Sequence, residues 1–143
     1  MSKAQERTDE AVALLREWQG LEREAIETTA EIMEQTDNLL IRQIMEIIRN
    51  DSVQHHRVQQ FIIDVMTREA VTFSPGDMAD VWARLEEHDA LERRTIEMAT
   101  ELKAKTTDKV AALLLDYLIR DEQKHDTLLN ELDALKVYLS KIS

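Results

Sequence analysis

An internal repeat is the strongest constraint on the fold of this chain, because two segments 70 residues apart align without a gap. The segment LEREAIETTAEI at 21–32 returns as LERRTIEMATEL at 91–102, with six of twelve residues identical. The same offset pairs His55 with His125. A repeat at a fixed period indicates that one supersecondary unit occurs more than once. The sequence therefore predicts two copies of one helical hairpin, offset by 70 residues.

Four long stretches carry apolar residues at spacings of three and four, which indicates amphipathic α-helices rather than strands. They cover about 4–34, 39–66, 77–104 and 108–139. The first stripe includes Leu15, Trp18 and Ile32, which we expect in the core. Each break between helices holds Thr, Ser or Asp able to cap the next helix. The sequence thus predicts an all-α four-helix bundle, with hairpins at about 4–66 and 77–139.

The sequence does not decide how the two hairpins are connected. It can be a tight turn, which gives up-down-up-down order, or a crossover that runs the length of the bundle. The eleven residues at 67–77 reach about 36 Å when extended, against about 39 Å of helix to retrace. The two lengths are too close to decide between these connections.

Composition excludes several classes of protein. With 143 residues and a net charge of -11, we expect a single domain spanning 1–143 that repels nucleic acid and anionic membrane surfaces. The chain has no cysteine, which excludes disulfides and thiolate metal sites. No apolar run approaches the roughly 20 residues of a membrane span, and the polar N-terminus is no signal peptide. We therefore expect a cytoplasmic protein with no nucleic acid and no membrane as partner.

Polar residues interrupt each apolar stripe near its middle. They are Glu22 in the first helix, Asp51, Ser52 and His55 in the second, His88 and Glu92 in the third, and Glu122 and His125 in the fourth. Antiparallel neighbours bring residues equidistant from their loop to one level, so the interruptions share one layer. Buried carboxylates cost several kcal/mol unless they are neutralised. A divalent cation neutralises them, and mixed carboxylate and imidazole ligands suit iron, manganese or zinc.

Two motifs in this layer resemble those of the ferritin-like family, which includes rubrerythrins and bacterioferritins. The run Asp121-Glu-Gln-Lys-His125 resembles the family's Asp-Glu-x-x-His signature. Glu22-Arg-Glu-Ala-Ile26 resembles the Glu-x-x-Ala-Ile of the family's first helix, and Glu92-Arg-Arg-Thr-Ile96 is its repeat counterpart. The resemblance covers nearly the whole chain. It implies a ferritin-like bundle in which Glu residues and Glu-x-x-His motifs hold a dinuclear metal centre.

Position by position, the resemblance implies that the metal ligands are Glu22, His55, Glu92, Glu122 and His125. Asp51 and Asp121 match the family's acid that hydrogen-bonds a metal-bound imidazole across the bundle. Ser52 stands where the family has a Glu, so the number of metals, one or two, is open. Asp51 or His88 can then act as an extra ligand.

The function implied by the resemblance is oxidation of ferrous iron by dioxygen or peroxide, or removal of peroxide. Iron is the expected metal, with manganese or zinc as alternatives, and electrons come from a separate donor. We also expect a homo-oligomer. Two other functions are open: an inactive helical scaffold or interaction module, and an iron carrier or storage subunit without turnover. The scaffold is favoured by Ser52 and by Thr29, where bacterioferritin-type sequences carry a Tyr.

Overall fold

The structure, a computed structural model, consists of four long α-helices. It describes residues 2–68 and 71–142, with the side chains of 78, 79 and 139–142 left aside. The helices are α1 (Lys3–Gln35), α2 (Leu39–Thr67), α3 (Trp82–Lys105) and α4 (Lys109–Ile142), and a π-helical turn at Asp77–Val81 leads into α3. This part of the chain contains no strand. The prediction of an all-α fold with four long helices is confirmed.

The chain divides into two compact units, Met1–Ala70 and Val71–Ser143. In the first unit α1 packs along α2, and in the second α3 packs along α4. We call these pairs the first and the second hairpin. Across residues 2–68 and 71–142, no helix has the length and the apolar character that crossing a membrane requires.

Side-chain caps explain where α2 and α4 begin. Oδ1 of Asn38 accepts a hydrogen bond from the backbone N of Ile41 at 3.0 Å. Oδ1 of Asp108 accepts one from the backbone N of Ala111 at 2.9 Å. Each cap satisfies an N–H group that has no partner within its own helix. In the first loop the cap is thus an Asn rather than one of the predicted residue types.

Ser74 and Asp77 form a reciprocal pair where the third helical stretch starts. The backbone N of Ser74 donates to Oδ2 of Asp77 at 3.0 Å, and the backbone N of Asp77 donates to Oγ of Ser74 at 3.2 Å. The Ser74 hydroxyl also donates to the same carboxylate oxygen at 2.9 Å. This is a capping box, and Pro75 occupies the first helical position. Hydrogen bonds from the backbone and then the side chain of Ser74 lower the pKa of Asp77.

We expect Ser74→Ala to raise the pKa of Asp77 toward its usual range, because the variant removes one donor to the carboxylate. A carboxyl with a lowered pKa in the folded state stabilises the fold above its unfolded pKa, and this contribution is lost as the pH falls through the lowered value. An NMR titration of the Asp77 carboxyl in both proteins measures the change. The exposed neighbour Thr72→Ala should leave that pKa where it is, and an equal pKa in Ser74→Ala and the parent contradicts the assignment.

The core of the first hairpin combines few apolar residues with several buried polar ones. Among the described residues, the buried apolar side chains are Leu15 and Ile63. The buried polar residues are Gln19, Glu22, Thr29, Ser52 and Gln59. We call these five the polar seam of the first hairpin. It places Glu22 inside the helix pair, at the level where the sequence predicted a polar layer.

Two residues predicted for the core lie outside it. Trp18 is 53% exposed and Ile32 is 40% exposed, so the prediction is wrong for both. α1 is buried along the line of Leu15, Gln19, Glu22 and Thr29. At 100° per residue, Trp18 and Ile32 lie to one side of that line. Apolar character alone therefore did not identify the face of α1 that contacts α2.

Candidate metal centre

Three of the predicted ligands converge in the second hairpin. Glu92 of α3 and Glu122 and His125 of α4 each offer a ligand atom, and these atoms lie within 4.8 Å of one another. Within the described residues this is the one group of three or more acidic or histidine side chains with such geometry. Glu122 and His125 share a helix face because they are three residues apart. Glu92 reaches the same level from the other helix.

One nitrogen of His125 faces both carboxylates. Nδ1 lies 3.4 Å from Oε1 of Glu92 and 3.8 Å from Oε2 of Glu122. Glu92 is only 8% exposed, whereas Glu122 and His125 are half-buried. A lone pair on Nδ1 would point into the space between two negative charges, which is the arrangement that a bound cation requires.

Asp121 contacts the opposite nitrogen of the same imidazole. Its Oδ2 lies 3.5 Å from Nε2 of His125, and its Oδ1 lies 3.0 Å from Nζ of Lys124. If a cation bound Nδ1, the proton of the imidazole would sit on Nε2, beside the Asp121 carboxylate. Asp121 lies on the same helix as this imidazole, one turn away, and the contact across the bundle that the resemblance implied stays a prediction.

The hydroxyl of Thr95 lies beside both glutamates. Oγ1 is 2.7 Å from the backbone oxygen of Glu92 and 3.2 Å from Oε2 of Glu122. A hydroxyl has one proton to donate, and the shorter contact is with the carbonyl oxygen. Oε2 of Glu122 therefore keeps a lone pair free on the side that faces His125.

His88 holds the Glu92 carboxylate from the preceding turn of α3. Its Nε2 lies 2.7 Å from Oε1 of Glu92, the same oxygen that His125 approaches. The His88 side chain is 59% exposed and does not belong to the group of three. His88 therefore contacts Glu92, and its role as an extra ligand stays a prediction.

Arginine does not neutralise these glutamates within the described second hairpin. Arg93, next to Glu92 in sequence, pairs with Asp89 at 2.8 Å and with Asp126 at 3.3 Å. A hydrogen bond between these two aspartates raises the pKa of Asp89 and lowers that of Asp126. Glu92 is left with ion-pair partners that are imidazoles.

The first hairpin brings two of the predicted ligands together. Oε2 of Glu22 lies 3.0 Å from Nδ1 of His55. Ser52 is buried but supplies no carboxylate. Asp51 is half-buried, and within the described first hairpin no hydrogen bond or ion pair involves it. The first hairpin thus has two donors where the second has three.

Gln59 is a site residue that the sequence patterns did not reveal. It is buried, and its Nε2 donates to Oε2 of Glu22 at 3.4 Å. Gln59 continues the line of Ser52 and Ile63 on α2 at spacings of seven and four, so helical periodicity could have placed it inside. Its side-chain amide carries no charge, so a search for carboxylates and imidazoles within the apolar stripes does not find it.

The donor set in the second hairpin fits a first-row dication. Two carboxylates and one imidazole suit iron, manganese or zinc better than calcium or magnesium, which prefer oxygen alone. Ligand atoms about 2.0–2.2 Å from one ion are at most about 4.4 Å apart. Nδ1 of His125 already lies within that limit of both carboxylates, at 3.4 Å from Glu92 and 3.8 Å from Glu122.

The chain matches no protein-family model, no curated protein and no solved structure.

Proposed function

We propose that the chain is a ferritin-like metal protein that binds iron at Glu92, Glu122 and His125. The observation that carries this proposal is the approach of two carboxylates and one imidazole to within 4.8 Å. One of the carboxylates, Glu92, is nearly buried. Burial of a carboxylate is costly unless positive charge offsets it, and a divalent cation between these three side chains would do so.

The residues of the second hairpin have separate tasks under this proposal. Glu92 and Glu122 supply negative charge, and His125 supplies a neutral nitrogen. Asp121 lies beside Nε2 of His125, the nitrogen that would carry the proton in a metal-bound imidazole, and His88 contacts the carboxylate of Glu92. Three protein ligands leave coordination positions for water or a substrate. When bound, iron supplies the electron-transfer chemistry, and the activity we propose is oxidation of ferrous iron by dioxygen or peroxide, or reduction of peroxide.

We further propose that one ion binds more tightly than any second one. The Glu22 and His55 pair has no third donor in its hairpin, since Ser52 stands where a Glu is expected. A two-donor set binds a divalent cation less tightly than a three-donor set with two carboxylates. Tight binding should therefore saturate near one ion per chain.

A second candidate function is iron carriage or storage without turnover. It is favoured by the same asymmetry, because a pair of equally held ions is the usual basis of two-electron chemistry in carboxylate-bridged centres. The two candidates predict the same tight site at Glu92, Glu122 and His125. They differ in whether oxygen is consumed.

The test is an anaerobic titration of the full chain with ferrous iron, followed by exposure to oxygen. We expect about one tightly bound iron per chain and a large loss of binding in Glu122→Ala, since a carboxylate ligand disappears. Glu131→Ala removes an exposed carboxylate from the same helix and should bind iron like the parent. Oxygen uptake on adding ferrous iron identifies an oxidase, and binding without uptake identifies a carrier. An unchanged iron count in Glu122→Ala would falsify the site.

A further inference from the structure

A row of eight residues follows α2 at spacings that alternate between three and four. The row, which we call the α2 stripe, consists of Ile41, Ile44, Ile48, Asp51, His55, Val58, Ile62 and Val65. Apart from Ile44, its aliphatic members are 37–46% exposed. Such spacing is the heptad pattern of a helix that packs on another helix. The α2 stripe is therefore a packing surface that α1 leaves open.

α1 adds a second stripe on the same side of the first hairpin. Its members are Leu14, Trp18, Leu21 and Ile32, all at least 40% exposed. At 100° per residue, each stripe is rotated by about 90° from the buried residues of its own helix, and in the same sense. In two antiparallel helices, equal rotations point to the same side. The two stripes thus form one surface, which we call the open face.

The open face is as large as a standard protein interface. The α2 stripe is about 36 Å long at 1.5 Å per residue, and two packed helices are about 20 Å wide. The resulting area of about 700 Å² is close to the roughly 800 Å² that each partner buries in a standard interface. It exceeds the largest apolar patch of a typical monomer, about 300–600 Å². An area of this size is enough for a stable dimer.

The α2 stripe is its own complement when two copies of α2 meet antiparallel. Reversal about its midpoint, position 53, sets every member opposite another member. The aliphatic pairs are Ile48 with Val58, Ile44 with Ile62, and Ile41 with Val65. The central pair is Asp51 with His55, so an acid meets an imidazole instead of a second acid. Within the described first hairpin, Asp51 has no hydrogen-bond or ion-pair partner of its own.

The second hairpin offers a poorer match to the open face. At the offset of 70 residues, Arg84 and His88 of α3 correspond to Leu14 and Trp18 of α1. The row on α3 is thus interrupted by a guanidinium and an imidazole where α1 is apolar. Burial of a charged group against apolar side chains without a partner is costly. The open face therefore fits the same face of another copy best.

We propose that two copies of the chain associate through the open faces of their first hairpins. The two α2 helices run antiparallel, and a two-fold axis crosses them at the level of residue 53, which makes the interface isologous. Leu21 of α1 lies at the same level, because positions 21 and 53 are equally far from the loop between α1 and α2. Its side chain, 59% exposed, meets Leu21 of the second copy near the axis.

The first experiment measures the mass and the dissociation constant of the full chain by sedimentation, in chelator so that metal plays no part. We expect a dimer of twice the 16.6 kDa chain. Ile48→Glu should raise the dissociation constant by about 100-fold or more, because the dimer then buries two unpaired carboxylates. Gln43→Glu adds the same charge at an exposed position of α2 outside the stripe and should associate like the parent.

A double variant tests the antiparallel pairing. Ile48→Glu with Val58→Lys should return the dissociation constant to within about tenfold of the parent, because each carboxylate meets an ammonium group of the other copy. Within one chain the two positions are about 15 Å apart along α2 and cannot pair. Both are largely exposed, so the substitutions preserve the hairpin. A monomeric parent, which would mean that the open face is covered within one chain, overturns the proposal, and so does a double variant without rescue.

The second experiment tests the position of the two-fold axis. The chain has no cysteine, so a single introduced thiol is the only site for a short bismaleimide. Leu21→Cys should be linked in pairs, whereas Glu27→Cys, exposed on another side of α1, should stay largely unlinked. A dimer or larger assembly in which Leu21→Cys is linked no better than Glu27→Cys uses another surface and overturns the proposal.

Discussion

Replacing Glu92 with Gln is expected to lower the affinity for ferrous iron by about 100-fold or more, without lowering the stability of the metal-free chain. Glu92 is the most buried member of the candidate site, and two imidazoles approach one of its oxygens. The loss of a direct ligand should exceed the roughly 10–100-fold effect of losing an outer-shell partner. The amide keeps the shape and a hydrogen-bonding oxygen but removes a buried charge, whose burial is costly.

The loss of iron affinity without a loss of stability distinguishes a metal ligand from a structural acid. Iron affinity is measured by anaerobic titration, and the free energy of unfolding by urea denaturation in chelator. Glu97→Gln, at an exposed position of the same helix, serves as the control and should change neither quantity. A variant that binds iron normally and loses stability would show that Glu92 serves the fold through its imidazole partners.

Replacing Ile63 with Ala is expected to lower the free energy of unfolding of the first hairpin by about 3 kcal/mol. Ile63 is 3% exposed and is one of two buried apolar residues among those described. With so few apolar residues buried, each contributes a large share of the packing between α1 and α2. Urea denaturation followed by Trp18 fluorescence, in a Trp82→Phe background, reports on the first hairpin.

Phe61→Ala is the matched comparison, because Phe61 lies two residues away on α2 and is 60% exposed. Truncation of an exposed side chain usually changes stability by about 0.5 kcal/mol or less. An equal cost at both positions would show that the face of α2 carrying Phe61 is covered in solution. A negligible cost at Ile63 would contradict the packing of the first hairpin.

The helices were predictable from the sequence because their determinants are local. Apolar spacing and the capping residues around Asn38, Ser74 and Asp108 set the helix ends within a few residues of those observed. The burial of individual faces was less predictable. Trp18 lies largely exposed and Gln19 is buried beside it, because the contact face depends on how α1 and α2 meet, which no local pattern records.

The group of Glu92, Glu122 and His125 was predictable because its geometry follows from two simple rules. Residues three apart share a helix face, and residues equidistant from a hairpin loop share a level. The contacts of His88 and Asp121 were not predictable from the sequence, since they depend on side-chain rotamers.

The polar seam of the first hairpin fixes the axial register of α1 relative to α2. Nε2 of Gln19 reaches the backbone oxygen of His56 at 3.3 Å and Oε1 of Gln60 at 3.2 Å, while Gln59 reaches Glu22. Shifting α1 along α2 by one turn would strand these amides without partners, at about 1–3 kcal/mol each. Aliphatic side chains would tolerate such a shift far better. Glu22 and His55 are consequently held at one fixed height relative to each other.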